Sequence, residues 1–532
     1  MSEPPKQPRS AQRPRYSLDV LVAITLFAIA LATRWPHLMA IPAFADEGLE
    51  VLWGYRIALG GHLPLTAYDA YDGPLFPYLI AAAFKLFGVR MLVPRAVVAV
   101  CGALTVPATY GFGTVVAGRW TGVVAALLVS ACPALVLYSS HYAWSNSLTP
   151  LFATLAFACV YAGVVKASRA ALAAGGLLAA LTLQTHPITI LALGGAGIWL
   201  VRSQAEHPWL TAAELRRPAA FFVVGYLPMV VGNFVRPLIS LRVASGRTYA
   251  FAPSWHPAVY AARAVDLGRT FLDSLAGGLS SEHFPAPLPA AVAAAGLLCI
   301  ALRVDLTRRR GFFSWMLLPS ALAIPVCVKL FLPRYLTFLL PAAFVAIAAA
   351  VVPWLTSAAR PRIVGWLNRT GSSGFAIALM VGLATRIYPL GLMDRYTTWA
   401  LERGLSNDGY FGLRDAVLAR HACGPQLYVE DVGRPLTNPA WVGLYAVDYV
   451  LTLSGCDHRL LTVGATFRAL SGDPGSPGKP GGNDAWAILS NPPAVDWSQQ
   501  HWRLEPAFVF GATAGQELLP ITLYRISRGG GQ

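Results

Sequence analysis

Between Leu18 and residue 392 the chain alternates long apolar runs with short polar breaks. Runs of this length predict helices that cross a lipid bilayer rather than helices that lie on a soluble core. The first extends from Leu18 to about Met39. The next apolar stretch, Pro74 to Phe87, is short, opens on Pro74 and Pro77 and carries Lys85, which suits an interfacial or re-entrant helix better than a crossing. Further spans are predicted from Leu92 to about Val116 and over residues 120–138, 146–165, 170–183, 187–201, 218–235, 288–302, 312–331, 335–356 and 374–392. The expected fold is an α-helical polytopic membrane protein with about eleven spans. After about Met393 the hydropathy collapses, and residues 394–532 predict a small α/β domain. Its expected elements are a helix from Tyr410 to His421 and strands at Gln426–Asp431, Tyr449–Leu453, Ala485–Leu489 and Ile521–Ile526, with Ser471–Gly482 as a flexible loop.

Composition agrees with this pattern and charge orients it. Of 532 residues 55% are hydrophobic and only 13% charged, with a mean hydropathy of +0.52 and a formal charge of +15. Such an excess of Lys and Arg invites a nucleic-acid reading, but most of it lies in short breaks between apolar runs, the mark of cytoplasmic anchoring. If Pro74–Phe87 does not cross, the inner breaks are Gly118-Arg119, Lys166–Arg169, Arg202–Arg217, Arg303–Arg310 and Arg360–Arg369. The outer turns Ser139–Ser145, Gln184–Pro187 and Leu332–Tyr335 then hold almost no base besides Arg334. Counting Pro74–Phe87 as a span would reverse that pattern. Ala43-Phe44-Ala45 resembles a signal-peptidase site, but it lies beyond Arg34 and Pro36, so a retained span is expected.

The expected organisation is a disordered cytoplasmic tail (1–16), a transmembrane catalytic domain (17–393) and an extracytoplasmic α/β domain (394–532). The transmembrane part carries two outer loops, 40–91 and 237–287, and the expected location is a bacterial inner membrane with the site facing the periplasm or cell exterior. Cys101, Cys132, Cys159, Cys299 and Cys327 lie in apolar runs and are expected to pack as small hydrophobes. Cys423 and Cys456 lie in the domain placed in an oxidising compartment and are expected to form a disulfide. No Cys/His spacing indicates a zinc site.

Candidate chemistry gathers on the outer side. Phe44–Tyr78 collects Asp46, Glu47, Glu50, Asp69 and Asp72 among Trp53, Tyr55, Tyr68 and Tyr71, and reads as an acidic, aromatic loop punctuated by Pro and Gly. Outer loops need polar residues for solvation alone, which is the plainer reading of these acids. His141, Trp144 and Asn146 fall in the turn after the third span, His186 in the turn after the fifth, and Arg334-Tyr335 in the last outer turn. Singly each has a mundane account: His141 as a loop histidine, Arg334 as an interfacial snorkeller. Their shared sidedness is the stronger argument, because polar groups at helix ends facing one cavity are costly unless used or paired.

In this order, an apolar span, Asp-Glu, a GPLFPY segment and Arg95 opening the second span resemble the GT-C superfamily, most nearly the protein O-mannosyltransferases and the lipid A aminoarabinose transferase. Tyr142–Phe152, Leu183–Pro187, Gly225–Phe234 and Pro333–Pro341 are similar to later segments of that family, so the resemblance covers roughly residues 15–360. It implies an inverting glycosyltransferase that moves a sugar from a polyprenyl-phosphate-linked donor to an extracytoplasmic protein, lipid or cell-envelope glycan. By the same resemblance Asp46 is the general base and Glu47 orients it or binds sugar hydroxyls. Arg334, with Arg56 and Arg95 behind it, faces the donor phosphate, and Tyr71, Asp72, His141, Trp144, Asn146, His186 and Tyr335 line the substrate site. Relatives often carry an acid where this chain has Asn146, which weakens the case for a metal; no cofactor is expected, although Asp46, Glu47 and Asp72 together would suit a divalent cation. The alternative is a transporter or flippase of a lipid-linked sugar, which predicts charged or unwound segments near mid-membrane.

Overall fold

The computed structural model describes residues 16–41, 45–60, 63–67, 70–246, 252–279, 284–308, 311–329, 331–356, 407–431, 447–462, 484–490, 502–510 and 521–528. The first helix, α1 (Tyr16–Arg34), stops short of the predicted Met39. Pro36 disfavours helical backbone at Trp35, and His37 then turns into positive φ at 63°. The stretch expected as an acidic loop is instead partly a helix, α2 (Ala45–Ala58), with Asp46 and Glu47 in its first turn and Arg56 in its last. That charge order complements the helix dipole. Gly54 lets α2 approach α3 (Leu75–Phe87), since a Cβ there would sit 2.8 Å from Ile80.

The bundle continues with α4 (Leu92–Ala117) and α5 (Arg119–Ala131). The predicted span 120–138 is interrupted: Cys132 is extended, and Pro133 starts a separate short helix, α6 (Pro133–Tyr138). Then come α7 (Thr149–Val165), α8 (Arg169–Thr185), α9 (Ile190–Arg202) and α10 (Ala212–Val235). The region expected as a second outer loop contains α11 (Ile239–Gly246) and α12 (Pro257–Leu275). Three more helices, α13 (Leu288–Arg308), α14 (Phe312–Cys327) and α15 (Leu340–Thr356), follow. Among the described residues 6 helical segments are long and apolar enough to cross a membrane, while α3, α5, α14 and α15 are apolar but shorter. The expected span 374–392 lies outside the described residues.

Helix α4 is central, packing on α1, α5, α7 and α15, while α8 lies between α7 and α10. Two crossings are close enough to require glycine. A Cβ at Gly176 in α8 would stand 2.0 Å from the Pro218 carbonyl oxygen in α10, and one at Gly195 in α9 would stand 1.9 Å from that of Trp315 in α14. Backbone cannot rotate away as a side chain does, so Gly176→Ala should force the two helices apart and destabilise the protein by about 1–3 kcal/mol. A lowered melting temperature in detergent checks this; an unchanged one would contradict the crossing.

At the end of the bundle remote from α2, Asp19 accepts from Arg119 Nε at 2.7 Å and from the Tyr110 hydroxyl at 2.5 Å, tying α1 to α4 and α5. Near the same end Arg169 reaches Glu214 at 2.9 Å between α8 and α10.

The C-terminal residues form α16 (Asn407–Ala419), a short helix α17 over residues 447–453, and five strands: β1 (Leu427–Asp431), β2 (Arg459–Thr462), β3 (Asp484–Ser490), β4 (Trp502–Phe510) and β5 (Ile521–Arg528). The sheet order is β2-β1-β3-β5-β4, with β1 parallel to β2 and β3, and β5 antiparallel to β3 and β4. Tyr449–Leu453, expected as a strand, is helical. Parallel neighbours need a crossover, and this segment lies on the path from β1 to β2, so topology overrides its β-branched composition. Strands β2 and β4 were not anticipated. Cys423 and Cys456 are disulfide-bonded with Cα atoms 5.1 Å apart, pinning the end of α16 to the turn after α17.

The sheet does not stand apart from the helices. Val51 and Leu52 of α2, Phe76 and Ile80 of α3, and Val93 and Val98 of α4 share one buried core with Val417, Leu427, Tyr449, Leu451 and Leu523. Val51 and Leu52 put this shared core against the second turn of α2.

Candidate active site

Three turns of 3-10 helix at one end of the bundle carry most of the polar groups: Ser145–Leu148 before α7, Pro187–Thr189 before α9 and Pro333–Tyr335 before α15. Pro187 and Pro333 each start their turn, a position where the missing N–H costs nothing. The first turn of α2 faces this cluster.

Asp46, half-buried, lies within electrostatic range of the Arg334 guanidinium. Burial works against the charge of Arg334, but Tyr335 and Asp46 outweigh it and push its pKa up, so it is a permanent cation. The guanidinium packs over the Trp144 ring at 5.0 Å and the Tyr335 ring at 5.1 Å, and Nη2 is 3.3 Å from the Tyr335 hydroxyl. Such stacking fixes the plane of the group. Its backbone is held too: the Arg334 carbonyl accepts from Asn146 Nδ2 at 3.1 Å and Thr337 Oγ1 at 3.0 Å. Asn146 Oδ1 in turn accepts from Thr149 at 3.0 Å.

An aromatic wall continues from Tyr335 to His186 (5.3 Å) and from His186 to Tyr71 (6.0 Å, edge-on). His186 Nδ1 caps its own turn by accepting from the Ile188 N–H at 3.2 Å. Gly73 brings Asp72 alongside by donating to the Gln184 carbonyl at 2.7 Å, an approach so close that a Cβ would lie 2.4 Å from the Gln184 side chain.

Asp72 is buried and receives the Ser145 hydroxyl at 3.4 Å. The same hydroxyl lies 3.1 Å from Glu50 Oε1, and Glu50 Oε2 accepts from the Ser145 N–H at 2.7 Å. Glu50 thus anchors the turn that carries Trp144 and Asn146. The sequence counts Glu50 among the acids of this stretch but assigns no role to it or to Ser145. Glu50 follows Asp46 and Glu47 at helical spacing, so treating the stretch as a helix would have put all three acids on neighbouring turns.

Two of the expected site residues pair with each other. Glu47 and Arg95, both fully buried, form a two-pronged ion pair with Nε–Oε1 at 2.8 Å and Nη2–Oε2 at 3.0 Å. Arg95 Nη1 also donates to the carbonyls of Ile41, at 2.6 Å, and Leu38. Arg95 therefore joins the chain leaving α1 to the first turn of α2. Arg56 is not brought to the cluster: it is exposed, packs over Trp53 at 5.8 Å and lies about 15 Å from Asp46 along α2.

His141 is committed to backbone, with Nδ1 and Nε2 each 2.9 Å from the carbonyls of Val136 and Pro36. Burial, with Arg95 and Arg34 nearby, pushes its pKa down to about 4 against the opposite pull of the two carbonyls. A neutral ring donates to only one of them, and it sits wedged between α6 and the end of α1. Among the described residues no group of three or more His, Cys, Asp or Glu is placed to hold a metal ion.

A permanent cation, an aromatic wall and a carboxylate thus gather at one end of an apolar helical bundle, and that bundle has the fold of a solved membrane protein. The crystal structure of ArnT from Cupriavidus metallidurans bound to undecaprenyl phosphate matches with a TM-score of 0.60 and 13% identity, covering 98% of this chain and 100% of that one. Its apo state matches at 0.61 and 13%, over 97% and 98%. The Archaeoglobus fulgidus oligosaccharyltransferase tethered to an acceptor peptide gives a TM-score of 0.44 and 14% identity, over 84% and 64%. No curated protein sequence matches the chain. The sequence profile of the dolichyl-phosphate-mannose-protein mannosyltransferases matches residues 71–231. The chain thus shares the GT-C fold of ArnT, and residues 71–231 are similar to that mannosyltransferase family.

Proposed function

We propose that the protein is an inverting glycosyltransferase that moves a sugar from a polyprenyl-phosphate-linked donor to an acceptor outside the cytoplasm. The observation that carries this reading is the placement of Asp46 within electrostatic range of Arg334, at the end of the bundle lined by Trp144, Tyr335, His186 and Tyr71. In a single displacement the acceptor hydroxyl attacks the anomeric carbon as the bond to the donor phosphate breaks. The proton must go to a nearby base, and Asp46 is the carboxylate in position to take it. Negative charge grows on the departing phosphate, and a fixed guanidinium beside it lowers the barrier. The rings of Tyr71, His186 and Tyr335, set at angles to one another, line one wall of the site for the sugar. Inversion by one displacement needs no covalent sugar ester and therefore no second nucleophilic carboxylate.

In this reading residues 17–393 are the membrane-embedded catalytic part with about eleven crossings, and residues 394–532 are an extracytoplasmic α/β domain on the same side as the 40–91 and 237–287 segments. A bacterial inner membrane fits, with the site facing the periplasm or cell exterior.

Arg334→Ala tests the donor half of the proposal. Loss of one charge-assisted contact should weaken donor binding by about 10–100-fold. Arg334→Lys should recover only part of it, because an ammonium neither stacks on Trp144 nor forks onto a phosphate. Equilibrium binding of the lipid-linked donor in nanodiscs measures this. Undiminished affinity in Arg334→Ala would remove Arg334 from the phosphate site.

A further inference from the structure

Tyr449, on α17, is completely buried in the core shared by α2, α3, α4 and the sheet, and its hydroxyl has no hydrogen-bond partner among the described residues. A buried hydroxyl left in this state costs about 1–3 kcal/mol, whereas phenylalanine of the same shape would cost nothing. It lies in an apolar core, with the Glu47–Arg95 pair within electrostatic range. Burial together with Glu47 pushes its pKa well above the ordinary value. The segment bearing Tyr449 is firmly held. Asp448, its neighbour, accepts from His458 Nε2 at 2.9 Å, His458 Nδ1 is 2.9 Å from the Cys456 carbonyl, and Cys456 is bonded to Cys423. Burial opposes a charge on His458, but Asp448 and the Cys456 carbonyl outweigh it and raise its pKa, which strengthens the clamp.

We propose that Tyr449 is a positioning residue contributed by the C-terminal sheet region: as a fixed, buried hydroxyl dipole beside the Glu47–Arg95 pair it keeps the first turn of α2, and with it Asp46, in the geometry that turnover requires. This gives the C-terminal region a part in catalysis from outside the substrate cavity, and it rests on the assignment of Asp46 as the base. Glu47 and Asp46 are consecutive, so a carboxylate free to shift at one position moves the other. Arg95 takes one lone pair on each Glu47 oxygen, and the phenol dipole acts on the same carboxylate electrostatically across a buried, apolar core where such interactions are weakly screened.

Tyr449→Phe is the test, run beside Asp46→Asn in nanodiscs with donor affinity, turnover and melting temperature measured separately. The phenyl ring preserves packing and removes only the hydroxyl, so melting temperature should hold or rise. Turnover should fall by roughly tenfold, because a preorganised dipole beside the carboxylate next to Asp46 is lost. Donor affinity should stay within about twofold, because the phosphate site is untouched. Wild-type turnover in Tyr449→Phe while Asp46→Asn is slow overturns the inference and leaves the base assignment standing. A rate loss in Tyr449→Phe matched by a fall in melting temperature also overturns it, since that is packing damage. Wild-type turnover in Asp46→Asn overturns the base assignment and this inference with it.

Discussion

Replacing Asp46 by Asn is expected to leave the protein folded and able to bind its donor, while turnover falls by about 10²–10⁴-fold. The amide keeps the size of the carboxylate and most of its hydrogen bonding, but it has no basic lone pair to receive the acceptor's proton. Asp46 is half-buried in the first turn of α2, where an amide sits without strain. The substitution also removes a negative charge near Arg334, so donor binding should hold or tighten slightly, a direction opposite to that of an ordinary damaged site. Single-turnover kinetics with saturating donor separate the two effects. A rate close to wild type would move the base elsewhere, and Glu50, beside Ser145 and Asp72, would be the next carboxylate to examine.

The second large effect is expected at Arg95. Removing one partner of a fully buried ion pair leaves the other as an uncompensated charge, at a cost of about 3–5 kcal/mol. Arg95→Met should therefore yield protein that melts early or fails to purify as a single species. Replacing both partners by apolar residues of similar volume is often neutral or stabilising. Arg95→Met with Glu47→Leu should thus recover melting temperature. It should not recover turnover, because Arg95 also ties the carbonyls of Leu38 and Ile41 to the first turn of α2, and that register places Asp46. Thermal unfolding and turnover measured on the single and double variants check the split. A double variant as active as wild type would make the pair purely structural.

What could be read from the sequence follows the solvent. Lipid imposes long apolar runs on the chain, so many helices of the bundle were legible in outline. Their ends were misjudged where backbone chemistry intervenes, as at Trp35-Pro36 and Cys132-Pro133, and where polar first or last turns extend α10 and α13. Helices α11 and α12 were expected as loop. The sidedness of bases predicted that the polar turns share one end, and the structure brings Trp144, His186, Arg334 and Tyr335 into contact or near-contact there. Local composition failed where tertiary structure decides. Gly48, Gly54 and nearby prolines made α2 look like a loop, yet Gly54 serves close packing on Ile80. Tyr449–Leu453 looked like a strand until the parallel sheet demanded a crossover. Which polar residues pair with each other was not legible at all. Nothing along the chain says that Arg95 belongs to Glu47 or that Ser145 sits between Glu50 and Asp72, since those partners are 48 to 95 positions apart.

The core that joins α2, α3 and α4 to the sheet has a consequence for how the protein is made. Val51, Phe76 and Val98 leave the ribosome long before Val417, Tyr449 and Leu523, with which they share buried surface. Until the later residues arrive, the early helices carry an uncovered apolar flank just behind the acids. Biogenesis therefore passes through an inserted precursor whose helices are in place but whose acid-bearing helix lacks its support. A chain stopped after α15 would be such a precursor made permanent: seated in the bilayer, exposed to quality-control proteases at that flank, and without a finished site.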